Sequence, residues 1–146
     1  MKKGFTLIEL LIVLAIIGIL VTISSFALQE ARRSARDARR KSDLEQIRSA
    51  IALYRSDCGE YPLSLTFSSP LVGDDSSLSC SSSNVYISEV PNDPQEPDRN
   101  YFYVRITSAT YAVCTALERP PGPSPAPVPS DCGSCGKSCN YKVTNL

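Results

Sequence analysis

An uncharged run of apolar residues near the N-terminus constrains this chain more than any other feature. From Leu10 to Leu28 there are 19 residues without a charge, mostly Leu, Ile, Val and Ala. About 20 apolar residues at a 1.5 Å rise cover the hydrocarbon core of a bilayer, so the run predicts a membrane-spanning helix. Lys2 and Lys3 precede the run and would keep the N-terminus on the cytoplasmic side. We therefore expect a single-pass protein of the inner (cytoplasmic) membrane whose C-terminal domain lies outside the cytoplasm.

A cleaved secretory signal peptide is the alternative interpretation of the same run. No small-x-small cleavage site ends it, because Ser24-Ser25-Phe26 is followed by Ala27-Leu28-Gln29-Glu30. Sequence compatible with a helix then continues to about Arg55. These features favour a retained anchor over a cleaved signal.

The charges are balanced overall but not along the chain. Residues 1–57 carry ten basic and six acidic side chains, a net +4, whereas residues 58–146 carry five basic and nine acidic, a net −4. No histidine occurs, which removes the commonest general base and zinc ligand. We therefore expect no enzymatic activity, no catalytic residue, no metal site and no cofactor.

The segment from Gly4 to Leu20, GFTLIELLIVLAIIGIL, resembles the N-terminal signature of type IV pilins and type II secretion pseudopilins. The resemblance implies that residues 1–4 are a leader peptide, that prepilin peptidase cuts between Gly4 and Phe5, and that Phe5 is then N-methylated. It also implies that Glu9 is the acidic residue used in subunit assembly. The partners implied are prepilin peptidase, an assembly platform protein with its ATPase, and further subunits in a homopolymer or mixed filament.

Physical chemistry gives Glu9 a reason to take part in assembly. The amine of a mature Phe5 is cationic, and burying it in a fibre requires an anion nearby. Pairing Glu9 of one subunit with Phe5 of its neighbour would compensate both charges and could set the axial register. The alternative is that Glu9 lies at the headgroup level, where a carboxylate costs little.

Two features depart from the family pattern. Phe26 stands where many members carry a helix-kinking proline, so local flexibility of the helix would depend on Gly18 and on Thr22, Ser24 and Ser25. The Asp- and Gly-rich calcium loop of the major pseudopilins is replaced by a Pro-rich spacer at 120–130, so calcium is not carried over. The missing loop favours a pilin over the principal secretion pseudopilin.

The helix pattern continues through residues 29–57 as an amphipathic extension. Leu44, Ile47, Ile51 and Tyr54 fall on one face, while Ala31, Ala35 and Ala38 fall on nearly the opposite face. We expect the first face to pack on the protein's own head and the alanine face to contact neighbouring helices.

A basic run follows the apolar segment. It favours a solvated face with helical ion pairs, such as Arg40 with Asp43, or apposition to lipid headgroups. The run does not favour contact with nucleic acid, because no aromatic residues are interleaved for stacking. The members of the run are Arg32, Arg33, Arg36, Arg39, Arg40 and Lys41.

Residues 58–119 predict a head with a long loop and antiparallel strands. Cys58-Gly59-Glu60-Tyr61-Pro62 should end the helix, and the Ser-rich stretch 63–84 indicates a surface loop. Small residues Ala112, Cys114 and Ala116 would form a face able to lie close against the helix. Strand patterns occur at 85–90, 101–106, 110–117 and 140–144, with a hairpin between the second and third. The fold class is therefore α+β: a long N-terminal helix whose upper half packs on a small antiparallel sheet of three to four strands, similar to a pilin.

The six cysteines lie in the distal half and indicate disulfides formed in an oxidising compartment. Zinc binding would need a fourth ligand, and a redox pair would need a thioredoxin-like setting, so both are less favoured. Cys58 with Cys80 could close the loop after the helix, and Cys114 could tether the C-terminal segment 131–146. Sequence leaves 15 pairings open for Cys58, Cys80, Cys114, Cys132, Cys135 and Cys139.

The function predicted from the sequence is a structural subunit of a type IV pilus-like filament, either pilin or pseudopilin. It would be assembled from the inner membrane after leader cleavage and methylation, with residues 5–28 as the transmembrane and polymerisation helix. A membrane-anchored extracytoplasmic binding domain that never polymerises is the alternative from a different class.

Overall fold

One long helix and five short strands make up the regular structure of this computed structural model, which describes residues 4–120, 122 and 130–145. Leader residues 1–3 and most of the Pro-rich spacer lie outside the described residues. The predicted α+β class is confirmed. The elements are α1 Leu7–Cys58, β1 Leu71–Val72, β2 Val85–Ile87, β3 Phe102–Thr107, β4 Thr110–Thr115 and β5 Tyr141–Thr144.

The chain divides into two compact units, Met1–Ala35 and Arg36–Leu146. The described part of the first unit is the lower helix with the residues that lead into it, and its side chains are all exposed. The second unit, called the head below, contains the upper helix and all five strands. Leu44, Ile47 and Ile51 are almost fully buried there, which confirms the predicted packing face.

Gly59 ends α1 as the sequence predicts. Its φ is +80°, a conformation that glycine adopts without the steric penalty of a Cβ. Its N–H donates to the carbonyl of Arg55 at 2.8 Å, which satisfies one of the last helix carbonyls. The proline at 62 follows three residues later, where the helix cannot continue.

The strands form two antiparallel sheets. β3, β4 and β5 lie in that order, and β1 pairs with β2. The predicted hairpin joins β3 to β4, with Phe102 opposite Cys114 and Thr107 opposite Thr110. β1 lies within the stretch that the sequence indicated as loop, and β2 ends at Ile87 rather than at residue 90.

The three-stranded sheet is covered on both faces. One face packs against the helix in the main core, to which β4 contributes Tyr111 and Val113. On the other face, Ala112, Cys114 and Ala116 pack against Cys135 and Cys139. The expectation that these three small residues lie against the helix is therefore wrong. Since side chains alternate along a strand, the bulky Tyr111 and Val113 take the helix side and the small residues take the other.

The segment 130–140, here named the cover, occupies that second face. A Cβ at Gly133 would lie 2.6 Å from the ring of Phe102, and Cys135 accepts a backbone hydrogen bond from Asn100 at 3.0 Å. The disulfides are Cys58–Cys80, Cys114–Cys132 and Cys135–Cys139. The first bridge closes the loop after the helix, and the second ties the cover to the middle of the sheet.

Candidate functional site

The N-terminal residues form a hydrogen-bonded cap at the start of α1. The backbone N–H of Thr6 donates to Glu9 Oε2 at 3.1 Å, and the Thr6 hydroxyl donates to the same oxygen at 2.9 Å. The N–H of Glu9 in turn donates to the Thr6 hydroxyl at 3.3 Å. This is a capping box, in which residues at the N-cap and three positions later satisfy each other's free N–H groups.

Sequence reasoning missed this intramolecular role of Glu9, although the Thr-x-x-Glu spacing could have revealed it. Only Oε2 takes part in the cap. Among the described residues, no hydrogen bond reaches Oε1. The carboxylate can therefore cap its own helix and still present one oxygen to a cation.

The residues implied in processing lie just outside the helix. Gly4 and Phe5 precede Leu7, and the Phe5 side chain is 84% exposed. Phe5 is thus four residues from Glu9 in the same N-terminal turn region. The other members of the proposed leader, residues 1–3, lie outside the described residues.

The lower part of α1 presents apolar side chains around its whole circumference. Ile12, Ile16 and Leu20 are each at least 52% exposed, although they belong to the most apolar part of the chain. By length and composition α1 is able to cross a membrane, and its most apolar 18-residue window has a mean hydropathy of 2.8. Such a surface requires lipid or other apolar helices around it.

Gly18 lies within α1, and the helix is continuous through it. The hydroxyls of Thr22, Ser24 and Ser25 donate to carbonyls three or four residues earlier, at 2.7, 2.8 and 2.9 Å. Back-bonding of this kind competes with the helical hydrogen bonds and often bends a helix. The proposed flexible stretch thus contains one glycine and three hydroxyls that share the backbone carbonyls.

The alanine face of α1 is exposed. Ala31, Ala35 and Ala38 are exposed, as expected for a face that contacts other helices. Small side chains allow another helix to approach closely. The structure contains no second copy, so this contact stays a prediction.

A buried ion cluster, called the Arg40 cluster below, occupies the start of the head. Arg40 is fully buried and donates to both carboxylate oxygens of Asp93, from Nε at 2.8 Å and from a terminal nitrogen at 3.0 Å. It also donates to Asp37 at 2.8 Å, Glu118 at 3.1 Å and Gln95 at 2.9 Å. One guanidinium therefore connects the helix with two separate segments of the head.

Asp37 and Glu118 complete this cluster around the end of the sheet. Asp37 accepts the backbone N–H groups of Glu118 and Arg119 at 2.9 and 2.8 Å. Glu118 accepts two hydrogen bonds from Arg36, at 2.6 and 2.7 Å. The cluster therefore attaches the segment that follows β4 to the side of α1.

The cluster shifts the pKa values of Glu118 and Arg40. Hydrogen bonding from Arg36, with further help from Arg40, lowers the pKa of Glu118 to about 2 against the opposing effect of burial. Burial disfavours the charged form of Arg40, but its hydrogen bonds to Asp93, Glu118 and Asp37 outweigh burial and raise its pKa. Glu118 and Arg40 are therefore both ionised at neutral pH.

The expected pairing of Arg40 with Asp43 is wrong. Asp43 instead accepts a hydrogen bond from the hydroxyl of Tyr101 at 2.7 Å and lies 3.9 Å from Arg39. The basic run therefore contains two kinds of residue. Arg32, Arg33 and Arg39 are exposed, whereas Arg40 belongs to the interior of the head.

One group of side chains has the composition of a metal site. Atoms of Cys58, Asp74 and Cys80 lie within 4.8 Å of one another. The two sulfurs are bonded to each other, however, so no thiolate is present and the group offers a single carboxylate. This chemistry suits a structural bridge rather than a metal centre.

Comparison with protein families agrees with the geometry at both ends of α1. Residues 1–25 match the prokaryotic N-terminal methylation motif. Residues 27–116, more than half of the chain, match type II secretion system protein G. The chain belongs to the family of type II secretion system protein G. No curated protein and no solved structure matches the chain.

Membership of the protein G family confirms the resemblance to type IV pilins and pseudopilins. The family match ends one residue after β4 and before Glu118. The spacer, the cover and β5 therefore lie outside the matched region. The Arg40 cluster joins residues of the matched region to Glu118, the second residue beyond it.

Proposed function

We propose that this protein is the structural subunit of a type IV pilus-like filament, a pseudopilin or pilin, with no catalytic step of its own. The observation that carries the proposal is the proposed processing and capping region at Gly4, Phe5 and Glu9, at the start of a helix whose lower part is apolar and exposed in the described residues. A family of secretion-system pseudopilins supports the same role. The prediction that the missing calcium loop favours a pilin is opposed by the family match, which favours a pseudopilin.

In the proposed mechanism the subunit is stored in the inner membrane with its head outside the cytoplasm. Prepilin peptidase cuts between Gly4 and Phe5 and the new N-terminus is methylated. The platform protein and ATPase then extract the subunit into the fibre. The apolar surface of α1, which lipid covers in the membrane, is there covered by the helices of neighbouring subunits.

The charge of Glu9 has a defined use in this scheme. In a single subunit Oε2 accepts both hydrogen bonds of the cap, and Oε1 is free to accept one from the cationic amine of a neighbour's Phe5. Pairing in the fibre then requires no disruption of the cap. Removing the carboxylate would leave the buried amine uncompensated, at a cost of about 3–5 kcal/mol.

Glu9→Gln tests the charge separately from the cap, because glutamine also forms capping boxes. We expect Glu9→Gln to insert, to be processed and to fail to form filaments, as measured by electron microscopy and the sheared-filament fraction. Thr6→Val is the matched control that weakens the cap and keeps the charge, and it should retain most filaments. Normal filaments from Glu9→Gln would exclude the charge pair.

A membrane-anchored binding domain that does not polymerise is the competing function. It shares the anchor and the head but needs neither cleavage after Gly4 nor Glu9. An unprocessed, monomeric wild-type protein in a host that contains the full assembly system would favour it. Processed protein in filaments would exclude it.

A further inference from the structure

The cover is attached to the sheet by chemistry that differs from the main core. Residues 130–140 contain no Leu, Ile, Val, Phe or Met. Beneath them lie Ala112, Cys114 and Ala116, with Phe102 and Val104 at the margin. Alanines and half-cystines bury little apolar area, whereas ordering each backbone residue costs about 1–2 kcal/mol. The cover therefore depends on its covalent bridges more than on apolar burial.

The bridges differ in how well an attacking thiolate can reach them. Cys135, Cys139 and Cys114 are fully buried, whereas Cys132 is partly exposed. Thiol–disulfide exchange requires direct access to one sulfur. The Cys114–Cys132 bridge can therefore be attacked at Cys132, while Cys135–Cys139 offers no accessible sulfur.

The third bridge is accessible but carries an unfavourable charge. Cys58 is partly exposed, yet the carboxylate of Asp74 lies 3.0 Å from the sulfur of its partner Cys80. Hydrogen bonds from Ser76 lower the pKa of Asp74, so this carboxylate is ionised at neutral pH. A negative charge repels the attacking thiolate and disfavours the departing one.

We propose that Cys114–Cys132 is an exchangeable bridge and that opening it releases the cover from the sheet. A thiolate of an extracytoplasmic dithiol attacks Cys132 Sγ, forms a mixed disulfide and expels the Cys114 thiolate, which takes up a proton. The second thiol of the reagent then attacks the mixed disulfide, which leaves Cys132 as a thiol and the dithiol oxidised. The reverse exchange with an oxidised donor closes the cover.

Release uncovers a face of the head without opening its core. Phe102 and Val104 pack at the edge of the cover, and Ile106, two residues further along β3, is already 46% exposed. The opposite face keeps the helix, with Leu44 and Ile51 fully buried. Asn140 holds the far end of the cover, because its side chain donates to Leu117 O at 2.9 Å and accepts from Leu117 N at 2.7 Å. The head therefore has a closed state and an open state that differ only on this face.

The test is a stepwise reduction of the full-length protein in detergent with dithiothreitol. Samples are quenched with an alkylating reagent, and the labelled cysteines are identified by peptide mass mapping. We expect Cys114 and Cys132 to be labelled first. At that stage hydrogen exchange should increase in residues 130–140 and 102–107 and remain unchanged in the helix from 44 to 54.

Two results would overturn the proposal. Labelling of Cys58 and Cys80 before the other cysteines would show that the charge of Asp74 does not set the order in which the bridges open. Labelling of all six cysteines together, with exchange throughout the helix, would show global unfolding instead of release of one segment.

Asp74→Asn tests the electrostatic step with a matched neighbour. Asp75 is also exposed, but its carboxylate accepts from the N–H of Ser82 rather than contacting the bridge. We expect Asp74→Asn to speed opening of Cys58–Cys80 by roughly three- to tenfold. Asp75→Asn should leave that rate unchanged. Equal rates of opening of Cys58–Cys80 in both variants would show that the charge of Asp74 does not slow this bridge.

Discussion

Arg40 and Asp93 form an ion pair in which both side chains are fully buried. The side chain of Arg39, the residue before Arg40, is 67% exposed, and the carboxylate of Asp43 lies 3.9 Å from it. A buried ion pair depends on good geometry and on further hydrogen bonds that satisfy each charge. An exposed ion pair contributes little to stability. Two adjacent arginines in one basic run therefore have different consequences for the stability of the head.

Replacing Arg40 by methionine tests this difference at the scale of a single residue. The change keeps an unbranched apolar stem but leaves Asp93 and Asp37 buried without the Arg40 cation, so we expect a loss of about 3–5 kcal/mol in the free energy of unfolding. Arg39→Met is the control and should change it by less than about 0.5 kcal/mol. Denaturant midpoints of the full chain in detergent provide the measurement. Similar losses in both variants would contradict the assignment.

Glu118 should make the head sensitive to acid. Its folded-state pKa of about 2 lies below the ordinary value of 4.5. The group therefore contributes stability that is present above pH 4.5 and is lost as the pH falls towards 2. We expect Glu118→Gln to be less stable at pH 7 and to lose less stability on acidification, as followed by denaturant midpoints between pH 7 and 2. Glu60→Gln changes a carboxylate that is 61% exposed, so it should keep the wild-type dependence of stability on pH.

Sequence could propose roles for Glu9 and Gly4 but could not single out Arg40. The first two stand in a local pattern of order and spacing around the proposed cleavage point. Arg40 is one of six basic residues between 32 and 41, and its partners Asp93 and Glu118 are 53 and 78 residues away. The burial of Arg40 depends on tertiary packing, and local sequence periodicity carries no information about that packing.

At the scale of elements, the helix and its ends were predictable because their signals are local. The apolar run, the glycine at 59 and the proline at 62 define α1 almost to the residue. The cover was not predictable, since the sequence leaves 15 cysteine pairings open and small residues on β4 suit either face. β1 and its pairing with β2 were missed, because a strand of two residues shows no alternation.

Glycines test the close approach of the cover to the sheet. Gly136 has a φ of +73°, and a Cβ there would lie 2.6 Å from Asn100 Oδ1 and from the carbonyl of Asp98. Gly59 has a φ of +80° with open space around it. We expect Gly59→Ala to cost about 1–2 kcal/mol from backbone strain alone. Gly136→Ala should cost more and should increase hydrogen exchange in residues 130–140, and equal effects would show that the cover is not closely packed.

At the scale of the whole molecule, the chain combines an exposed apolar surface, which is unfavourable in water, with a head that is stabilised by its own contacts. The lower helix exposes apolar side chains on every side, whereas the head has its own core, a buried ion cluster and three disulfides. The sequence predicted this division from composition, because apolar residues, basic residues and cysteines occupy successive stretches. Under the proposed function, lipid first and other subunits later would cover the lower helix.

The proposed function requires that the chain is processed after Gly4 and then joins a filament. The most direct test is the intact mass and N-terminal sequence of protein isolated from sheared filaments of a host with prepilin peptidase. We expect a chain that starts at N-methylated Phe5, with a mass lower by six hydrogens for three disulfides. A chain that starts at Met1 and is found only as a membrane-bound monomer would contradict it.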